Sequence, residues 1–175
     1  MTVMRGERIV LRPATEDDLD AIVAMLEEPE VAPWWGDYDA GRVRRDHLED
    51  DESETYAIEV GDEFAGVLLI SEENEPDYRH AALDISLRTA LHDRGLGREA
   101  LRVAIDHLAG ERGHHRFTID PAADNARAIR CYAAVGFRPV GTLRRYWRTP
   151  GGEWRDGLLM DLLVEDLEKP VGPSP

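Results

Sequence analysis

The sequence is short of cysteine, of long apolar runs and of basic residues. Its single cysteine, Cys131, excludes an internal disulfide and a cysteine-rich zinc site. The longest apolar run, around residues 65–70, is far too short to span a bilayer, and the first residues contain no continuous apolar segment of signal-peptide length. We therefore expect a soluble, cytoplasmic protein that does not interact with membranes.

The deficit of basic residues limits the kinds of molecule that the protein is expected to bind. The 21 Lys and Arg residues face 36 Asp and Glu residues, which gives a formal net charge of -15. A strongly acidic chain is repelled by nucleic acid and by anionic membranes, so both are excluded as partners. A cationic partner is favoured, and the alternative is a solvated acidic surface with no specific role.

The length of 175 residues with 42% apolar content predicts a single core. We expect one domain over residues 1–168 and a disordered tail over 169–175, because the tail is rich in proline and contains a glycine.

Hydrophobic periodicity predicts a mixed α/β fold. A strand–helix–strand succession between residues 80 and 120 predicts a parallel crossover inside a sheet that carries helices on both sides. The predicted strands are 8–14, 55–60, 64–70, 80–89, 116–120, 137–148 and 154–164, and the predicted helices are 15–28, 39–50, 97–111 and 124–135.

A glycine-rich loop, "HDRGLGREA" over residues 92–100, precedes one of these helices. Glycines there allow backbone N–H groups to point at an anion at the positive end of the helix, which predicts a phosphate site. Two alternatives stay open at this point. One is a dinucleotide-binding unit, which the polar insert "RTALHDR" before the first glycine disfavours. The other is an ordinary helix start.

A second motif combines Asn125 with Tyr132, seven residues later on the same predicted helix. Seven residues are about two turns and roughly 10 Å, so both side chains face the same way. An amide can bond the peptide-like groups of an extended ligand, and a phenol can give a proton to a leaving group. The alternative assigns Asn125 to the helix cap and Tyr132 to the core.

Together, "HDRGLG" and "NARAIRCYAAVGF" resemble the GNAT family of N-acetyltransferases, and the resemblance covers about residues 7–165. The segments "WWGDYD" (34–39), "LDISL" (83–87) and "TIDPAADNARAIRCYAAVGF" (118–137) are most similar to the aminoglycoside 6'-N-acetyltransferases. The resemblance implies a GNAT fold, with a twisted, mostly antiparallel sheet in which two central parallel strands splay apart. It also implies acetyl-CoA as co-substrate, no metal, and direct attack by the 6'-amino group of an aminoglycoside in a ternary complex. A siderophore lysine derivative or a protein N-terminus is the alternative acceptor, and a CoA-binding protein without turnover is a further alternative.

The resemblance also assigns roles to individual residues. Tyr132 is the implied acid that protonates the departing thiolate, and Asp84 is the implied base. The strand over 84–88 is expected to hold the thioester carbonyl where it splays from the strand that ends at Asp120. His92 departs from the family pattern, which has Gln or Arg at that position. The implied cofactor-binding residues are Arg94, Gly95, Leu96, Gly97, Arg98, Asn125, Arg127 and Arg130.

The acceptor is expected to meet carboxylates and aromatic rings. Several carboxylates in one cleft would attract a polycation, so an inward surplus of acidic side chains would favour an aminoglycoside. The alternatives are that the aspartates cap strand ends and that the tryptophans cover the core. Whether the chain is a monomer or a homodimer stays open. The implied substrate-binding residues are Trp34, Trp35, Asp37, Asp84, Asp120, Glu153 and Asp156.

Overall fold

The computed structural model describes residues 1–167, so the expected tail over 169–175 lies outside the described residues. The described chain forms one eight-stranded sheet in the order β1-β2-β3-β4-β5-β6-β8-β7. Only β5 and β6 are parallel among the paired strands. The predicted mixed sheet is confirmed. Its strands are β1 Met4–Arg5, β2 Val10–Pro13, β3 Ser53–Val60, β4 Glu63–Glu73, β5 His80–Leu87, β6 Arg116–Ile119, β7 Arg138–Arg148 and β8 Trp154–Leu163.

The helices are α1 Leu19–Leu26, α2 Ala32–Trp35, α3 Ala40–Val43, α4 Leu96–Gly110, α5 Ala126–Val135 and α6 Val164–Leu167. The helix predicted over 39–50 is confirmed as a helical segment over residues 40–48, but its second half is not α-helical. α3 ends at Val43 and a wider π-helical turn follows over Arg44–Leu48. Within this turn His47 is buried against the rings of Trp35 and Tyr38, with centroids 5.9 and 5.3 Å away. The helix therefore departs from regular α geometry at the turn where the His47 ring packs against the two aromatic rings.

The central strands bury side chains on both faces. In β4, Leu68 and Ile70 belong to the core on one face, while Val67, the residue before them, belongs to the core on the other. The first core includes residues of α4 and α5, such as Leu101, Ile105 and Val135. The second includes Ile22, Met25 and Leu26 of α1 and Val43 of α3. Helices therefore cover both faces of the sheet, as predicted.

The parallel pair β5 and β6 stays together for only two residue pairs, Ala81 with Phe117 and Ala82 with Thr118. Beyond them the strands separate, although a continued register would bring Asp84 beside Asp120. α4 follows β5 and α5 follows β6, so both helices begin on the side of the sheet where the gap opens. The fold thus joins two helix N-termini and two carboxylates at one opening.

Gly66 is predicted to be essential for the close approach of β4 to the end of β5. It pairs with Leu87, and a Cβ on Gly66 would lie 2.1 Å from the Ser86 carbonyl oxygen and 2.9 Å from the Leu87 Cα. We expect Gly66→Ala to lower the free energy of unfolding by roughly 1–3 kcal/mol, because backbone must move to accept the methyl group. Urea unfolding measures this. Gly110→Ala is the control, since nothing lies within 4 Å of that position, and it should be neutral or mildly stabilising. Equal stability of the Gly66 variant and the wild type would contradict the described β4–β5 contact.

Candidate active site

A cavity of about 700 Å³ lies where β5 and β6 separate, and its size is typical of small-molecule sites. Its wall includes the end of β5, the starts of α4 and α5, α2 and part of β7. Most of the residues expected at the site line this one cavity. They are Trp34, Trp35, Asp84, Gly95, Leu96, Gly97, Arg98, Asp120, Asn125, Arg127, Arg130 and Tyr132.

Four other expected residues, Arg94, Asp37, Glu153 and Asp156, are not part of the cavity wall. The two acids of the last hairpin bond within that hairpin. Glu153 pairs with Arg155 at 3.4 Å, and Asp156 accepts a hydrogen bond of 2.7 Å from the Arg145 N–H. The roles assigned to these four residues remain predictions.

The start of α4 forms one end of the cavity. Gly95 caps the helix with φ of 79°, a left-handed conformation that glycine adopts freely. The first intrahelical bond runs from the Glu99 N–H to the Gly95 carbonyl at 3.1 Å. The N–H groups of Leu96, Gly97 and Arg98 therefore have no acceptor within the helix and are available to a ligand. The positive end of the helix dipole favours an anion there.

Three arginines, Arg98, Arg127 and Arg130, line the cavity beside this helix end. None of them forms an ion pair with a carboxylate in residues 1–167. In a chain with a net charge of -15, three guanidinium groups without an ion-pair partner, beside the carboxylate of Asp93 in the same wall, favour anion binding. Guanidinium groups and free backbone N–H donors fit the phosphates of acetyl-CoA.

Asn125 and Tyr132 each make a contact that stabilises the fold, and both line the cavity. Asn125 caps α5, where its side-chain oxygen accepts a hydrogen bond of 3.1 Å from the Ala128 N–H, and the residue also lines the cavity. Tyr132 is buried and packs edge-on against Phe137 at 6.3 Å. Burial raises the pKa of Tyr132 well above its usual value, and the charge of Asp84 adds to this effect. The phenol is therefore protonated at neutral pH and can serve as a proton donor.

Asp84 and Asp120 are the two carboxylates expected at the chemical step, and both line the cavity. The Asp84 side chain faces the open cavity, but protein surrounds it on the remaining sides. This loss of solvation raises the pKa of Asp84 to about 7, the charge of Asp120 adds to the rise, and a hydrogen bond of 2.8 Å from the Ile85 N–H opposes it. Burial also raises the pKa of Asp120, and the nearby Tyr146 phenol opposes this rise. Asp84 thus has the stronger tendency to take a proton at neutral pH.

Tyr146 is a cavity residue that the sequence reasoning missed. It follows Arg145, whose φ of 51° lies in a bulge where the register of β7 and β8 shifts. The Tyr146 ring packs on Gly157, where a Cβ would come within 2.8 Å of the ring. Its phenol lies close enough to Asp120 to lower the pKa of that carboxyl group. A glycine inside a predicted strand, as at Gly157, is the sequence signal of such a close approach.

The acceptor end of the cavity does not contain a surplus of carboxylates. Beside Asp84 and Asp120 the wall includes Arg42 and Arg148. Arg42 lies 4.0 Å from the centre of the Tyr38 ring, and Tyr38 also lines the cavity. The condition that would favour a polycationic acceptor, an inward surplus of acidic groups, is therefore not met.

Within the described range 1–167, no three His, Cys, Asp or Glu side chains are grouped as a metal site. No helix in that range is long and apolar enough to cross a membrane.

Known proteins resemble the chain in both sequence and structure. The family described as acetyltransferase (GNAT) domain matches residues 8–138. The chain is 30% identical over 167 residues to aminoglycoside N(6')-acetyltransferase type 1 of Klebsiella pneumoniae, covering 84% of this chain and 80% of that protein. It is 32% identical over 90 residues to the N-alpha-acetyltransferase RimI of Mycobacterium tuberculosis, covering 51% and 53% of the two chains. The structure of Mycobacterium smegmatis RimJ in complex with CoA-disulfide superposes with a TM-score of 0.80 at 24% identity, covering 96% of this chain and 88% of that one.

The proximity of the two carboxylates predicts a measurable pKa coupling. In Asp120→Asn the pKa of Asp84 should fall below about 7, because the variant removes a negative charge that disfavours ionisation of Asp84. Carboxyl carbon NMR titration of the free protein measures this. Asp106→Asn, which changes an exposed acid outside the cavity wall, is the control and should leave Asp84 unchanged. Titration of Asp84 near the ordinary value of about 4 in the wild type would contradict the described surroundings.

Proposed function

The chain belongs to the GNAT acetyltransferase family, and we propose that it transfers the acetyl group of acetyl-CoA to the 6'-amino group of an aminoglycoside. The observation that carries this proposal is the pair Asp84 and Asp120 at the separation of β5 and β6, next to an anion-binding helix end. The 30% identity to an aminoglycoside 6'-acetyltransferase over most of both chains supports the acceptor class.

Acetyl-CoA, when bound, supplies an acetyl group activated as a thioester. In the proposal the N–H groups of Leu96, Gly97 and Arg98 bind its diphosphate, with the guanidinium groups of the wall beside them. The Asn125 oxygen is already bonded to the Ala128 N–H, so the amide N–H₂ is the group that meets the peptide-like arm. β5 beyond Ala82 has no partner on the β6 side, which leaves that side free for the thioester end.

Proton transfers by two side chains accompany the step. The acceptor ammonium must lose a proton before its nitrogen can attack, and Asp84 takes that proton directly or through water. As the new N–C bond forms and the C–S bond breaks, Tyr132 gives a proton to the sulfur that leaves, and its raised pKa keeps the phenol protonated until then. The second proton that the attacking nitrogen loses then restores the phenol, directly or through water. Asp120 lies near the Tyr146 phenol, which opposes protonation of the carboxylate. Its role in the proposal is to bind a second ammonium group of the acceptor.

The properties of Cys131 favour direct transfer over an acyl-enzyme. The thiol lines the cavity next to Tyr132, but burial raises its pKa. A protonated thiol is a poor nucleophile, so the acetyl group has no evident resting place on the protein. The proposal therefore requires both substrates to be bound together.

A protein N-terminus is the second candidate acceptor, and one observation favours it. Arg148 at the acceptor end, which forms no ion pair among residues 1–167, can bind the carbonyl or carboxylate groups of a peptide, whereas it disfavours a polycation. Arg42 in the same wall is already paired with Asp46 at 3.1 Å. The partial match to RimI agrees with this candidate.

Thiol release from acetyl-CoA by the purified protein distinguishes the candidates. The acceptors are kanamycin, tobramycin, gentamicin, lysine, N6-hydroxylysine and a peptide with a free N-terminus. Neomycin and paromomycin form a matched pair, since paromomycin has a hydroxyl at the 6' position where neomycin has an amine. We expect release with the 6'-amino compounds and little with paromomycin. Release with the peptide or the lysine derivatives alone would contradict the aminoglycoside assignment while leaving acetyl transfer intact.

The assignment of Tyr132 as acid predicts a specific kinetic defect. Tyr132→Phe should lower kcat by about 100-fold or more, because the variant loses the proton donor to the leaving sulfur. The affinity for CoA should change little, since Phe preserves the packing against Phe137. Stopped-flow and steady-state thiol assays measure the effect. The control is Tyr56→Phe, which removes a buried hydroxyl that donates to Glu54 at 2.9 Å away from the cavity, and which should leave kcat unchanged. An unchanged kcat in Tyr132→Phe would exclude Tyr132 as the acid.

A further inference from the structure

His92 connects three parts of the cavity wall. It lies in the loop between β5 and α4, and its Nε2 is 2.8 Å from the Leu87 carbonyl oxygen at the end of β5. Its Nδ1 is 2.6 Å from Nη1 of Arg127 in the first turn of α5. Both His92 and Arg127 line the cavity. The imidazole therefore ties the glycine loop to both of the elements that flank the anion site.

The partners of the two ring nitrogens determine the tautomer. A carbonyl oxygen can only accept, so Nε2 carries the hydrogen and donates to Leu87. A guanidinium group can only donate, so Nδ1 is the acceptor for Arg127. One neutral tautomer satisfies both contacts, and each contact fixes the ring orientation that the other requires.

The contact orients Arg127 without neutralising it. Arg127 has no carboxylate partner among residues 1–167. An acidic residue at position 92 would fix the guanidinium group but cancel its charge. An arginine there could donate to the Leu87 carbonyl but would offer no acceptor to Arg127. Neutral histidine supplies an acceptor and leaves the full positive charge available to an anion.

Orientation before binding also has an energetic consequence. A free arginine side chain loses rotamer entropy when it is fixed in one orientation. If the side chain is already held in the unbound protein, less of that cost falls on ligand binding. A held Arg127 therefore gives a tighter complex with the same phosphate contact.

We propose that His92 is a positioning residue that holds Arg127 toward the phosphate groups of acetyl-CoA. The inference rests on the proposed CoA site and adds a residue that acts through Arg127. Its loss is expected to weaken CoA binding and to raise the KM for acetyl-CoA, while kcat at saturation stays unchanged. A residue that served only the general fold would lower thermal stability and kcat together.

Two amide variants separate the two contacts of the ring. In His92→Asn the amide oxygen reaches the position of Nδ1, so the acceptor for Arg127 is retained. In His92→Gln the amide nitrogen reaches the position of Nε2, so the donor to Leu87 is retained. His92→Phe keeps a ring but loses both contacts, and His115→Phe changes an exposed histidine outside the wall as a control.

Calorimetric titration with CoA, which needs no acceptor, provides the readout. We expect the Kd for CoA to rise about 10-fold in His92→Phe, as for loss of a hydrogen bond to a charged group. The rise should be markedly smaller in His92→Asn than in His92→Gln, and His115→Phe should match the wild type. Arg127→Ala should weaken binding, and adding His92→Phe to it should cause little further loss, because the two residues act as one unit.

Three results would overturn the inference. Equal Kd values for His92→Phe and the wild type would show that the contact does not matter for binding. Losses from His92→Phe and Arg127→Ala that multiply in the double variant would show that His92 does not act through Arg127. Recovery of affinity in His92→Gln but not in His92→Asn would assign the effect to the Leu87 contact. Absence of CoA binding by the wild type would instead refute the proposed CoA site itself.

Discussion

The separation of β5 from β6 after two residue pairs is the constraint on which the site depends. A parallel pair in the middle of a sheet normally continues its ladder, because unpaired backbone groups away from water are costly. Here the ladder ends early, and the cavity begins where it ends. Buried side chains on both faces of the neighbouring strands hold the sheet together around the opening. Because α4 follows β5 and α5 follows β6 in the chain, both helices start at the gap.

Charge is distributed unevenly around that opening. Many arginines of the described chain are paired with acids, as in Arg12 with Asp18 at 2.7 Å, whereas the three beside the start of α4 have no carboxylate partner within residues 1–167. The carboxylates of Asp84 and Asp120 lie where β5 and β6 separate. The charge of Asp120 raises the pKa of Asp84, and both charges raise the pKa of Tyr132. A ligand fits this charge distribution if its anionic end lies beside the arginines and its other end meets an amine beside the carboxylates. The arrangement orients both reactants before any chemistry takes place.

Features with a local periodic signal could be predicted from the sequence, and features that depend on distant contacts could not. The glycine loop, the cap at Asn125 and the position of Tyr132 two turns later follow from spacing within single elements. The bulge that brings Tyr146 to Asp120 depends on Gly157 in the neighbouring strand. The bond between His92 and Arg127 joins residues 35 positions apart. The acids of the last hairpin were expected in the cleft from the family resemblance, but they make contacts within the hairpin, Glu153 with the Arg155 side chain and Asp156 with the Arg145 backbone N–H.

Amide hydrogen exchange with and without CoA, followed by mass spectrometry, tests most directly whether the gap between β5 and β6 is the cofactor site. CoA should slow exchange at two separate segments, the first turn of α4 over residues 96–98 and the end of β5 over residues 85–87. Both segments have backbone groups that a bound ligand would cover, and peptides from β1 and β2 serve as internal references. Protection of neither segment, or protection confined to a surface away from the gap, would contradict the account.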